Sequence, residues 1–152
     1  LKAQEREAKG ATSALDGVAL ALPALMRAEK LQKRAARVGF DWPDPTGPAN
    51  KVVEEMAELA DAPTSQDRHE EAGDLLFAAV NLVRAYGIEP EDALRSANAK
   101  FERRFRAMET LAASQGANFS ALSLSEQDIL WNAVKQSEPR EPTEIAGIQT
   151  NL

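Results

Sequence analysis

No cysteine occurs among the 152 residues, which excludes a disulfide scaffold, a thiolate zinc site and a cysteine nucleophile, and fits a reducing, cytoplasmic compartment. Histidine occurs once, as His69, so catalytic designs that need two imidazoles are excluded as well. No membrane span is legible: the longest nearly apolar stretch, residues 75–83, is interrupted by Asn81 and falls far short of the roughly 20 residues a span needs. Positive charge is in deficit, with 18 Lys and Arg against 24 Asp and Glu and a formal net charge of -6. That balance argues against a nucleic-acid polymer as partner, because such binding rests on phosphate attraction. The chain also lacks Gly-x-x-x-x-Gly-Lys-Ser/Thr, so a P-loop mechanism is excluded.

What is present is a globular balance, 43% hydrophobic and 28% charged, with enough apolar material for a core. The length points to one compact domain. Leu rather than Met stands first, and residues 1–20 read as a charged, linker-like segment without a secretory apolar core. Residues 21–138 carry the domain, and residues 139–152 read as a flexible tail.

Apolar residues recur at helical spacing from residue 22 to 38, closed by Gly39, while Lys30, Lys33, Arg34 and Arg37 read as a solvated face. Residues 40–48 hold three prolines and a glycine and read as a loop carrying Phe40 and Trp42. A second helix is predicted over 49–60, a third over 66–86 ended by Gly87, a fourth over 90–114 opened by Pro90, and a short fifth over 125–137 stopped by Pro139. Leu94, Ala97, Phe101, Phe105, Met108 and Ala112 form one apolar seam along the fourth. No strand is predicted, so the fold class is all-α, a four-helix bundle with a short fifth helix.

Acidic residues concentrate on two of these helices. At about 100° per residue, Val52, Val53, Met56, Leu59 and Ala60 share an apolar arc of the second helix, with Lys51, Glu55 and Glu58 on the arc beside it and Glu54 turned further to solvent. On the third, Glu71 and Asp74 fall on a stripe with Asp67, Ala78, Asn81 and Ala85, where the helix enters an apolar run. Two i,i+3 carboxylate pairs on neighbouring antiparallel helices bring four oxygen-bearing side chains to one point, where they repel unless a cation neutralises them or their pKa values rise. A purely oxygen donor set suits Mg²⁺ or Mn²⁺ better than zinc. The plainer reading, solvated acidic faces with i,i+4 pairs such as Lys51 with Glu55, stands beside it.

On the fourth helix Lys100 and Arg104 flank Phe101 and Phe105, with Arg103 and Arg106 further round. They read either as an exposed basic face or, taken with the carboxylates, as the phosphate-contacting half of a metal-bridged polyphosphate site. Trp42 and Trp131 are available to stack on a nucleobase or to anchor a core. His69 has no partner at metal spacing and reads as a solvated helix residue.

The sequence Glu54-Glu55-Met56-Ala57-Glu58, twelve residues, then Glu71-Ala72-Gly73-Asp74 resembles the signature of the MazG-type nucleoside triphosphate pyrophosphohydrolases. Lys51, Gly73-Asp74-Leu75-Leu76-Phe77, Asn98-Ala99-Lys100-Phe101-Glu102-Arg103-Arg104-Phe105 and Trp131 extend that resemblance, which covers residues 22–137 and is nearest the C-terminal domain of two-domain bacterial members. The resemblance implies an all-α, dimeric enzyme that cleaves nucleoside triphosphates between the α and β phosphates. It implies Glu55, Glu58, Glu71 and Asp74 as Mg²⁺ ligands, and Lys51, Glu54, Glu70, Lys100, Arg103, Arg104 and Trp131 around the nucleotide, with Glu54 orienting the attacking water. Asp67-Arg68-His69 stands where some members place a lysine near the phosphates.

A second expectation, from another class, is a non-catalytic dimerisation or regulatory module that retains a metal site. A carboxylate-bridged di-iron bundle is disfavoured, since it needs Glu-x-x-His pairs and Gln66 stands three residues before His69.

Overall fold

The computed structural model describes residues 2, 4, 5, 10 and 12–139. Among them the regular elements are all helical: α1 (Ala24–Ala36), α2 (Thr46–Asp61), α3 (Ser65–Ala85), α4 (Pro90–Ser114), a 3-10 turn (Phe119–Ala121) and α5 (Leu124–Ser137). The predicted all-α class and order of five helices hold. The predicted tail beyond residue 139 and much of the predicted N-terminal segment lie outside the described residues. Contacts divide the chain into two compact units, Leu1–Arg95 and Ser96–Leu152, with the boundary inside α4.

In the first unit α2 begins at Thr46, so the predicted loop over 40–48 ends three residues early and Pro48 lies inside the helix. First-turn N–H groups have no carbonyl four residues back, so a proline there forfeits no hydrogen bond. The Thr46 N–H instead donates to Oδ1 of Asp44 at 2.8 Å. After residues 62–64, α3 opens on a capping box: Thr64 accepts from the Asp67 N–H, and Asp67 accepts from the Thr64 N–H. Asp67 is thus committed to starting a helix. Gly87, at φ +74°, turns the chain out of α3 towards Pro90.

The short connection makes α2 and α3 packed neighbours, and α1 also packs on α3. The inward stripe of α2 is Pro48, Val52, Glu55 and Leu59, at steps of four, three and four residues. On α3 the corresponding stripe is Glu71, Leu75, Ala78 and Leu82. The predicted apolar arc of α2 is therefore split. Val53 and Met56 stay 67% and 56% exposed, while Glu55 is 4% exposed, because α3 covers the edge of the arc bearing Val52 and Leu59 rather than its centre.

Helix α1 buries two polar residues, Glu29 and Gln32. Glu29 pairs with Lys33 at 2.6 Å, and Gln32 Nε2 donates to the Phe77 carbonyl on α3 at 3.0 Å. Of the basic residues expected on a solvated face, Lys30, Lys33 and Arg37 are exposed but Arg34 is half-buried. It donates to the Asp16 carbonyl at 2.9 Å and tethers that segment, so the expectation is corrected for this residue.

The second unit is built on Met108 and Ala112 from α4 and Leu130 and Val134 from α5, with Phe119 and Trp131 packed against them. Burial of each large apolar side chain contributes about 1.5–3 kcal/mol. The predicted seam of α4 is buried at Met108 and Ala112, whereas Phe101 remains 57% exposed. Ser123 and Glu126 form the capping box that starts α5.

Candidate functional site

Within the first unit, carboxylate oxygens of Glu55, Glu71 and Asp74 lie within 4.8 Å of one another, and so do those of Glu54, Glu55 and Glu58. Glu55 belongs to both groups, so α2 delivers one buried carboxylate to the start of α3 and fans Glu54 and Glu58 out towards solvent. The four expected ligands are brought together unequally: Glu55, Glu71 and Asp74 form one triad, and Glu58 joins it through Glu55. Glu70 lies outside both groups, exposed, accepting from Gln66 Nε2 at 3.2 Å. His69 is exposed.

The charges are partly balanced by Lys51. Its Nζ lies 2.7 Å from Glu55 and 3.1 Å from Glu54, one helical turn back on α2. The ammonium holds the Glu55 carboxyl below its ordinary range, against the opposing effect of burial, and the same pair pushes the Lys51 ammonium up. Glu58 is pushed the other way: the ionised Glu55 beside it raises its carboxyl, and Glu71 and Glu54 add to the repulsion. One lysine against this many acids leaves a negative excess.

Two buried oxygens record that excess as unmet bonding capacity. Oε2 of Glu55 and Oε2 of Glu71 are both buried without a hydrogen-bond partner, one from each helix. Buried carboxylate oxygens without a donor cost several kcal/mol in ordinary packing, about 1–3 kcal/mol even for a neutral group. Unpartnered carboxylate oxygens in an all-carboxylate cluster fit a hard divalent cation. Sequence reasoning treated the four ligands alike; an acid on the Pro48–Val52–Leu59 stripe was the signal that Glu55 differs.

Of the predicted basic and aromatic residues, Lys51 and Trp42 lie in the first unit, and Lys100, Arg103, Arg104 and Trp131 lie in the second. Arg104 grips Glu138 through two bonds, 2.7 and 2.8 Å, and its guanidinium carbon sits 5.5 Å from the centre of the Trp131 ring. The pair holds Glu138 below its ordinary range and raises Arg104. Trp131 packs on the unit's core and lies 6.0 Å from the Phe101 ring. Lys100 and Arg103 are exposed.

In the first unit sequence reasoning also missed an ion pair. Arg84 near the end of α3 meets Asp41 of the α1–α2 loop at 2.6 Å and also donates to Oδ1 of Asn81. A pairing 43 residues apart leaves no trace in local spacing.

A nucleoside triphosphate pyrophosphohydrolase of Escherichia coli strain K12 is 46% identical over 143 residues, covering 91% of this chain and 54% of that protein. A nucleoside triphosphate pyrophosphohydrolase/pyrophosphatase MazG of Thermotoga maritima is 41% identical over 135 residues, 89% of this chain and 52% of that protein. An uncharacterised Bacillus subtilis protein, YabN, is 47% identical over 133 residues but is covered over only 27% of its length. The chain thus spans about half the length of the first two relatives. Residues 46–108, which contain α2, α3 and every carboxylate of the site, match the family model of the MazG nucleotide pyrophosphohydrolase domain.

Proposed function

We propose that the chain is a divalent-metal-dependent nucleoside triphosphate pyrophosphohydrolase, releasing a nucleoside monophosphate and pyrophosphate from ribo- or deoxyribonucleoside triphosphates. The observation that carries this reading is the pair of unsatisfied buried oxygens on Glu55 and Glu71, within reach of Asp74. Relatives whose printed name is nucleoside triphosphate pyrophosphohydrolase support it over most of this chain. Mg²⁺ is the favoured ion and Mn²⁺ a substitute, because the donors are all oxygen.

Glu55, Glu71 and Asp74 would hold the ion, with Glu58 completing or adjusting the set. A bound ion there supplies a Lewis acid for the phosphoryl oxygens and lowers the pKa of a coordinated water. Glu54, exposed and adjacent to Glu55, orients the attacking water, and Glu70 lines the approach. Lys51 keeps Glu55 ionised, hence ready to ligate.

The homodimer belongs to the same reading. Val53 and Met56 form an exposed apolar edge directly beside the acidic arc, which a second copy of the chain would cover. The competing reading, a non-catalytic module that only retains a metal, is separated by Glu58→Gln. Pyrophosphate release from a panel of nucleoside triphosphates with Mg²⁺ should be lost in that variant with its oligomeric state unchanged. Wild-type protein inactive on every nucleotide would refute hydrolysis.

A further inference from the structure

Glu138 is an acid at the wrong end of a helix. It caps α5 at the C-terminus, where the last carbonyls concentrate negative charge and where a cation, such as Lys135 in the last turn, is the favourable neighbour. What keeps a carboxylate there is α4. Lys100, Arg103 and Arg104 stand three and four residues apart on one face of that helix. Arg104 most of all, then Arg103 and Lys100, hold the Glu138 carboxyl below its ordinary range.

The three cations are used unequally. Lys100 and Arg103 are exposed and have no ion pair among the described residues. The Arg104 side chain is only 16% exposed, its Nε and Nη2 both donate to Glu138 at 2.7 and 2.8 Å, and its guanidinium lies over the Trp131 ring. Two parallel donors on one guanidinium edge match two oxygens of a carboxylate or, equally, of a phosphate. A phosphate seeking that edge meets a carboxylate already on it. A tie between two helices needs one cation, whereas here the cluster stays positive after Glu138 is paired, and a polyanion is what its surplus fits.

We propose that Glu138 is an intramolecular competitor for a phosphate chain at this cluster, which lies beside Lys100 and Arg103 and takes the Arg104 fork only when the Glu138 carboxylate leaves it; that the chain belongs to a nucleoside triphosphate rests on the hydrolase reading. Glu138 has extended backbone, φ -67° and ψ 139°, so its release unwinds no turn of α5. The carboxylate weakens the hold on every phosphate chain, product as well as substrate, and returns to Arg104 when the chain departs.

The test titrates the full chain with inorganic pyrophosphate in a calorimeter, with chelator present so that the acidic triad holds no metal. Glu138→Gln keeps the shape and removes the charge, and should bind pyrophosphate about tenfold more tightly than wild type, the scale on which a charge-assisted hydrogen bond exceeds a neutral one. Glu102→Gln removes an equal charge from the Arg106 pair on the same helix and should leave the affinity within about twofold, as screening in salt requires. Adding Arg104→Gln to Glu138→Gln should abolish the gain. In turnover, the KM for nucleoside triphosphates should fall in Glu138→Gln by the same factor. Should that variant lose its helical signal, Glu138→Asp, one methylene shorter and unable to hold both donors of the fork, carries the same readouts. Active enzyme whose Glu138 variants bind pyrophosphate no more tightly, or not at all, overturns the competition and leaves the hydrolase standing, as does a gain that Glu102→Gln matches or that survives Arg104→Gln. A chain inactive on every nucleotide whose Glu138→Gln variant gains pyrophosphate affinity through Arg104 overturns the hydrolase and leaves the competition.

Discussion

Glu55 and Glu58, one turn apart on α2, carry carboxyl groups whose proton affinities are driven in opposite directions by the same neighbourhood. Glu55 sits against Lys51 and stays ionised; Glu58 sits against Glu55 and resists ionisation. A carboxyl raised in the folded state destabilises the fold above that raised value, and the penalty disappears as pH falls below the ordinary one. Glu58→Gln should therefore raise the melting temperature of metal-free protein at neutral pH and should reduce the gain that metal confers. Calorimetric scans with and without chelator check both, and a lower melting temperature for the metal-free variant would show that Glu58 is a stabilising residue instead.

Metal binding should be visible in stability before it is visible in catalysis. A ligand at a hundredfold excess over its Kd stabilises by about 2.7 kcal/mol, which for a domain of this size is about 5–10 °C. Thermal melts in millimolar Mg²⁺ against chelator should differ by that order, and Glu71→Gln should erase the difference while leaving the helical signal intact. Loss of turnover in Glu71→Gln should exceed the roughly 10–100-fold that residues behind a metal ligand contribute. Identical melts in both conditions would remove the preformed cation site.

Much of this site was legible in the sequence because its parts are local. Glu54, Glu55 and Glu58, and then Glu71 and Asp74, are i,i+3 and i,i+4 sets, and the helix that displays each set is signalled by its own apolar period. What was not legible depends on which edge of a helix its neighbour covers. Val53 and Met56 belong to the apolar arc of α2, yet α3 takes Val52 and Leu59 and carries Glu55 inside with them. Gln32 and Glu29 were passed over for a similar reason: they fall between the apolar positions of α1, and the Phe77 carbonyl that engages Gln32 lies 45 residues away. The start of α2 was misplaced because three prolines weigh as loop signals, although the first turn of a helix tolerates them.

Acid should weaken the protein through pairs outside the acidic cluster. Arg84 lowers the Asp41 carboxyl, Arg104 lowers that of Glu138, and the Ser123 backbone N–H lowers that of Glu126. Each contributes stability that is fully present above the ordinary carboxylate range and is lost as pH falls through the lowered folded value. Melting temperature should accordingly fall below about pH 4, and Asp41→Asn should lower it at pH 7 while making the acid decline shallower. Parallel wild-type and Asp41→Asn curves across that window would deny the ion pair any part in it.

The exposed edge of α2 makes a prediction about assembly. Val53, Met56 and Ala60 stand at steps of three and four residues, all exposed, next to carboxylates that are themselves half-satisfied. An apolar line of this kind on a helix is stable in water when something covers it, and a two-fold related copy would lay the same line against itself. A stable dimer needs about 1,200–2,000 Å² of buried surface, more than one helical edge provides, so neighbouring exposed residues must join it. Sedimentation of wild-type protein should give twice the 16.5 kDa chain mass. Val53→Asp places two like charges at the centre of such an interface, since symmetry brings each substitution in twice, and should yield a folded monomer. If that variant remains dimeric the interface lies elsewhere, and if the wild type sediments as a single chain at every concentration the chain does not self-associate.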